Sequence, residues 1–190
     1  EEGGLSTSPL SYRYWHQEEQ LDSVRQTAAR NLVKVVQHLA SIESRSGHCF
    51  HVDIEPEPDG MIENSGQLIE FFEEVLLPVA RMELPPELSE NAEILVRRHV
   101  RVCFDVCHFS VVYEDPIDAL ARFKAAGIEI GKVHLSAALK WSFSSADQEQ
   151  LSHHCQSLIE PVYLHQVVQR NRSGGTTRFP DLPDALSDFD

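Results

Sequence analysis

Four ionisable residues, Glu55, Asp105, His108 and His134, occupy matching places along the chain, each at the close of a short apolar run or just beyond it. Asp105 ends the run in "RVCFDVCHFSVVYEDP" (101–116), with His108 three positions on. Glu55 closes "HCFHVDIE" and His134 closes "IEIGKVH". A carboxylate is costly to bury unpaired, so the ends of these runs call for a partner. Carboxylate and imidazole donors together suit a divalent metal ion such as zinc, manganese or cobalt, with no thiolate required. Such an ion offsets the desolvation of Asp105.

Each residue also has a plain structural reading. Asp105 can cap the following helix or pair with an arginine. His108 and His134 can be packed loop or core histidines, and Glu55 can be a solvated turn carboxylate in "EPEPD". Glu57 is an alternative ligand, and Lys132 can neutralise a carboxylate. His51 and Asp53 fit a polar layer inside a barrel, and His153 and His154 an exposed helix face.

The elements that must position these groups follow from periodicity. Residues 1–17 read as a loop containing Pro9 and the rings of Tyr12, Tyr14, Trp15 and His16. A long helix follows, with Leu21, Val24, Ala28, Leu32, Val35, Leu39 and Ile42 on one stripe and Gly47 as its stop. In "HCFHVDIEPEPDG", Phe50, Val52 and Ile54 alternate with His51, Asp53 and Glu55, which predicts a strand ended by Pro56 and Pro58. A helix over 65–77 starts from Asn64, with Gln67 three residues later, and another covers 87–98.

"HVRVCFDVC" is the next strand, with Cys103, Asp105 and Cys107 on one face. Asp115, Pro116 and Gly127 frame a further helix. "IEIGKVHLS" reads as a third strand. Ser145 and Gln148 form a capping box for a helix near 146–157, and "PVYLHQVVQ" reads as a fourth strand carrying His165.

Strands alternating with helices at this spacing predict βα units of a parallel sheet. A full eight-stranded barrel needs ~250 residues, so four units in 190 residues amount to a partial (β/α)8 TIM barrel, one domain over 1–190. An open doubly wound sheet is the rival, but no GxGxxG or P-loop follows any strand. In a barrel, the carboxyl ends of the strands carry the chemistry. Glu55, Asp105, His134 and His165 fall at that edge and imply a shared site.

Composition narrows the partners. Sixteen Lys and Arg against 30 Asp and Glu give a net charge of −14. A field of that sign repels phosphate backbones and acidic membrane surfaces, so nucleic acid is not expected as a partner. No apolar stretch reaches the ~18 residues of a membrane span. The four cysteines make no CxxC pair; three lie in or beside apolar segments and read as reduced, buried thiols, while the even count leaves a disulfide open. With no signal peptide at the start, the cytoplasm is expected. Asn171-Arg172-Ser173 fits a glycosylation sequon by pattern alone, and the start at Glu1 without methionine suggests a fragment or processed product.

The motifs also carry a resemblance. "VCFDVCHFSVVYED" resembles the D-x-C-H segment of the xylose isomerase-like TIM barrels, which include sugar epimerases and endonuclease IV. "IEPEPDG" resembles their strand-end glutamate, and "GKVHLSAALK" their H-L-x-x-S segment. The series "LSTSPLSYRYW", "IEPEPDG", "CFDVCHFSVVYEDP", "GKVHLSAAL", "YLHQVV" and "DLPDAL" is similar, in order, to the metabolite traffic protein EboE family.

The resemblance implies that Asp105, His108 and His134 hold the ion, with Glu55 as ligand or base and Glu55 and His108 as catalytic groups. It implies a metal-dependent, isomerase- or epimerase-like protein acting on a small sugar- or polyol-like metabolite. The alternatives are a non-catalytic metabolite-binding barrel and, third, endonuclease IV-like DNA repair. The family pattern commonly has glutamine where this chain has His134, and it continues into further strands. The chain is thus expected to be an internal piece whose partners include the remaining barrel strands, and to be inactive alone.

Overall fold

Every strand of the main sheet runs in the same direction, and the strands stand side by side in the order in which the chain makes them. The computed structural model describes residues 1–142 and 147–188. These divide into two compact units, Glu1–Ala137 and Ala138–Asp190, where the sequence reading expects one domain.

In the first unit β1 (Glu2–Thr7), β2 (Cys49–Ile54), β3 (Val100–Asp105) and β4 (Ile130–His134) form a parallel sheet in the order β1-β2-β3-β4. The sheet curls into a half-barrel of a mixed α/β fold. The connections are α1 (Leu21–Ser46) between β1 and β2, and α2 (Ser65–Glu70), α3 (Leu77–Glu83), α4 (Pro86–Ser89) and α5 (Ala92–His99) between β2 and β3. Between β3 and β4 lie α6 (Val106–Val111) and α7 (Pro116–Ala125). One apolar cluster joins Ile54, Val100, Val102 and Phe104 of the sheet to Val36 of α1, Leu68 of α2, Val96 of α5 and Phe123 of α7. A doubly wound sheet needs helices on both faces; here the opposite face is polar, with His51, Asp53 and Asp105 buried on it.

β1 overturns the loop expected over 1–17. Its inward positions are Gly4 and Ser6, so the alternation that marks a strand is missing, and the reason lies next door. A Cβ on Gly4 would come within 2.2 Å of the His51 ring. β4 holds a similar position: the register jumps from Val102↔Ile130 to Cys103↔Lys132, leaving Gly131 as a bulge. The bulge keeps Ile130 packed against the helices yet turns Lys132 and His134 inward. A Cβ on Gly131 would lie 2.0 Å from Asp53 Oδ1. Asp53, fully buried between these two glycine backbones, is bonded to His51 Nδ1 at 2.6 Å. Burial pushes its carboxyl up against the pull of His51. The expected polar layer is therefore present. Lys132 Nζ donates to Ser6 Oγ at 3.0 Å.

α1 ends at Gly47 in the left-handed region, φ 71°, as expected. Its buried stripe is Ala29, Leu32, Val33 and Val36, turned by about one position from the predicted set; Val35 faces outward at 39% exposure. Asn64 caps α2 through the Gln67 N–H, but Gln67 Oε1 accepts from the Glu63 N–H rather than from Asn64. The helical path then runs past the predicted end at 77 to Glu83 through a π turn over Phe71–Leu76, where the Leu77 N–H bonds to the Phe72 carbonyl. Pro78 explains the turn. It has no N–H to offer the Glu74 carbonyl, and its ring would collide with that carbonyl in a regular helix. The expected helix over 87–98 is split into α4 and α5. Asp115 caps α7 by accepting from the Ile117 and Asp118 N–H groups, and Gly127 lies just past its end at φ 66°.

The second unit contains α8 (Gln148–Gln156), β5 (Val167–Arg170), β6 (Thr176–Phe179) and α9 (Leu182–Ser187), with Cys155, Leu182 and Leu186 buried together. The fourth parallel strand expected in "PVYLHQVVQ" is instead β5, half as long and antiparallel to β6. His165 precedes it in a loop, its backbone N–H donating to Asp181 at 2.8 Å. The Ser145 of the expected capping box lies outside the described residues. His153 and His154 are exposed on α8, as expected.

Candidate metal centre

The carboxyl edge of the sheet assembles its polar groups from three strands. Asp105 is the last residue of β3 and the cap of α6, so one carboxylate has two tasks. Its Oδ1 accepts from the Cys107 N–H at 2.9 Å and from the Ser136 hydroxyl at 2.5 Å, while Oδ2 pairs with His134 Nδ1 at 3.2 Å. The capping reading of Asp105 is thus correct and does not displace the site reading. His134 is the register partner of Asp105 across β3 and β4, and its Nδ1 lies 3.4 Å from Glu55 Oε1.

Glu55 extends β2 by one residue, its N–H bonded to the Thr7 carbonyl at 3.0 Å. α6 begins immediately after β3, which corrects the expectation that Val106 and Cys107 continue the strand. The early turn carries His108 back over the edge, 3.5 Å from Glu55 Oε1. Phe109 anchors that turn, 1% exposed and stacked on Phe104 at 4.2 Å.

The four predicted residues therefore converge. They fall into two interlocked groups, each with donor atoms mutually within 4.8 Å and each completed by a thiol: Glu55–Cys103–His134 and Asp105–Cys107–His108. Sequence reasoning treated both thiols as inert packing and passed over Ser136. The spacing of Cys103 two residues before Asp105 puts it on the inward face and was the available signal. Nothing local marks Cys107 or Ser136, because their roles depend on where α6 starts.

Electrostatics favours a cation here. Burial pushes the Asp105 carboxyl up, but Ser136, Cys107 and the charge of His108 together outweigh it and hold the group down at about 2. Burial raises the Glu57 carboxyl; His108 pulls it back, and Glu55 and Asp105 push it further up, so three carboxylates bear on one histidine. Burial and Glu55 push the Cys103 thiol to about 12, and burial with Asp105 pushes Cys107 to about 11. Both shifts favour the protonated thiol, so ligation by either sulfur would release a proton.

One atom carries the test of fit. His108 Nδ1 is buried and has no hydrogen-bond partner, a costly state for a ring nitrogen and one that an ion bound beside Glu55 and Asp105 relieves. The donor set of imidazole, carboxylate and thiol is one that zinc-class ions accept. The side chains of Asp105, Glu55 and His108 are 10%, 18% and 19% exposed and that of His134 39%, so the cluster is half-buried and open to solvent at His134. No family model matches the chain, and neither does any curated protein. No helix of the described residues is long and apolar enough to cross a membrane.

Proposed function

We propose that the chain is part of a xylose isomerase-like TIM barrel whose carboxyl-edge cluster holds a divalent ion and acts on a small sugar- or polyol-like metabolite. The observation that carries this reading is the convergence of Glu55, Asp105, His108 and His134, with a buried, unpartnered His108 nitrogen among them. The sequential, singly wound parallel order supports the barrel, and the resemblance to the EboE family agrees with both.

Asp105, His108 and His134 hold the ion, and Cys103 and Cys107 stand close enough to assist. A bound divalent ion supplies Lewis-acid polarisation of neighbouring substrate oxygens. Glu55 is the carboxylate placed to take and return a substrate proton, 3.5 Å from the His108 nitrogen that would face the ion. Ser136 and the Cys107 N–H keep Asp105 ionised and fixed. The net charge of −14 disfavours a DNA-repair reading.

Ion content of the wild type, Asp105→Ala and His108→Ala, measured by inductively coupled plasma mass spectrometry after dialysis, tests the proposal. Each substitution is expected to weaken retention by about tenfold or more. Equal content in all three proteins removes the mechanism.

A further inference from the structure

At the amino-terminal end of the same sheet a second set of donors meets. Glu43 lies on the last turn of α1, Cys49 opens β2, and His99 ends α5 one residue before β3. Their ligand atoms all lie within 4.8 Å of one another. With β3 rising ~3.3 Å per residue, this set is roughly 20 Å from the Asp105 cluster.

His99 is the informative member. Its side chain is fully buried, and its Nδ1 pairs with the Phe50 carbonyl at 2.7 Å, which fixes Nδ1 as the protonated nitrogen. The lone pair is then on Nε2, and Nε2 is buried without a hydrogen-bond partner. That lone pair faces Glu43 Oε2 at 3.5 Å. The Nε2 lone pair and the Glu43 carboxylate, which Arg98 also holds, are thus two donors facing one point. A ring oriented by a backbone carbonyl with its other nitrogen free is also how ligating histidines are held.

We propose that Glu43, Cys49 and His99 form a second metal site that takes a zinc-class divalent ion, with water as the fourth ligand. One sulfur, one imidazole nitrogen and one carboxylate oxygen make a borderline-soft set suited to zinc rather than magnesium or calcium. Bond lengths of 2.0–2.3 Å put tetrahedral ligands ~3.3–3.8 Å apart, and the His99–Glu43 separation falls in that interval. Arg98 grips the Glu43 carboxylate, with Nε 2.8 Å from Oε2. A carboxylate oxygen has a second lone pair, so the grip orients Glu43 without using it up. Arg101 is committed to Glu2 and Glu129. A solvent cleft of about 530 Å³ lined by Cys49, Arg97, Arg98 and Arg101, with Glu2 and Glu129, reaches the site at its thiol. On loading, the Cys49 S–H bond breaks, sulfur bonds to the ion, and the proton leaves to solvent.

Cobalt(II) titration of the reduced, chelator-stripped protein tests the site, read by thiolate-to-cobalt charge-transfer absorption and by ion stoichiometry. Cys49→Ser is expected to lose about one equivalent of ion and its share of the absorption, and Glu43→Gln to bind about tenfold or more weakly at that site. His108→Ala, which weakens only the other cluster, is expected to keep the equivalent and the absorption that Cys49→Ser removes. Absorption and stoichiometry unchanged in a folded Cys49→Ser overturn the proposal. Should that variant not fold, unchanged cobalt affinity in the partly exposed Glu43→Gln overturns it equally, and leaves a bare His99–Glu43 contact.

Discussion

Replacing Asp105 with asparagine separates the structural work of this carboxylate from its charge. The amide oxygen can still accept from Cys107 N–H and the Ser136 hydroxyl, so the helix cap is kept and the ionic part is lost. Asp105 is 7% exposed and sits at about 2, against an ordinary value of 3.8. That gap is worth about 2 kcal/mol. The folded value is depressed, so this stabilisation is fully present above about 4 and disappears as pH falls through about 2. Wild type and Asp105→Asn, both stripped of metal, are unfolded in urea from pH 7 to pH 2 and followed by far-ultraviolet circular dichroism. Other carboxylates titrate in both proteins and cancel in the difference. The variant is expected to be less stable by about 2 kcal/mol at pH 7, with the gap narrowing below pH 4. A gap that is absent at neutral pH, or that stays constant to pH 2, refutes the electrostatic account of this residue.

Two further perturbations probe the frame around the site. Phe109→Ala removes a ring that is 1% exposed and packed between Phe104 and Phe123. It is expected to cost about 3–5 kcal/mol in urea unfolding and to weaken ion retention, because the turn that carries His108 loses its anchor. Gly131→Ala forces a methyl group toward Asp53 Oδ1; a loss of about 1–3 kcal/mol is expected, and unchanged thermal stability would show that the bulge has room to spare.

Much of the scaffold was legible because local chemistry and tertiary role agree. β2 and β3 carry the period-two pattern, and α7 carries both its Asp115–Pro116 start and its Gly127 stop. β1 was illegible for a physical reason: its inward side is built from Gly4 and Ser6 so that His51 and Asp53 can occupy the interior, and small residues leave no pattern. The second unit misled through composition. "PVYLHQVVQ" is rich in β-branched residues, but its partner is set by the turn after it, where Asn171 Oδ1 accepts from the Ser173 and Gly175 N–H groups and Gly174 takes φ 90°. The same oxygen accounts for Asn171 in structural terms. In the site, strand-end position identified Glu55, Asp105 and His134. The thiols and Ser136 were hidden because their proximity is created across strands and by the abrupt start of α6.

The turn ahead of Pro78 has a further consequence. A π turn is an α-helix carrying one surplus residue, and here the surplus and the proline depend on each other. Deleting a single residue within Phe71–Leu76 would restore the regular winding but drive the pyrrolidine ring back onto the carbonyl it now avoids. Replacing the proline alone would leave the spare residue with no reason to be looped out. The deletion would also turn Phe71 and Phe72, both fully buried, away from the core, so the extra residue sets which face of the segment packs inward as well as making room for the proline.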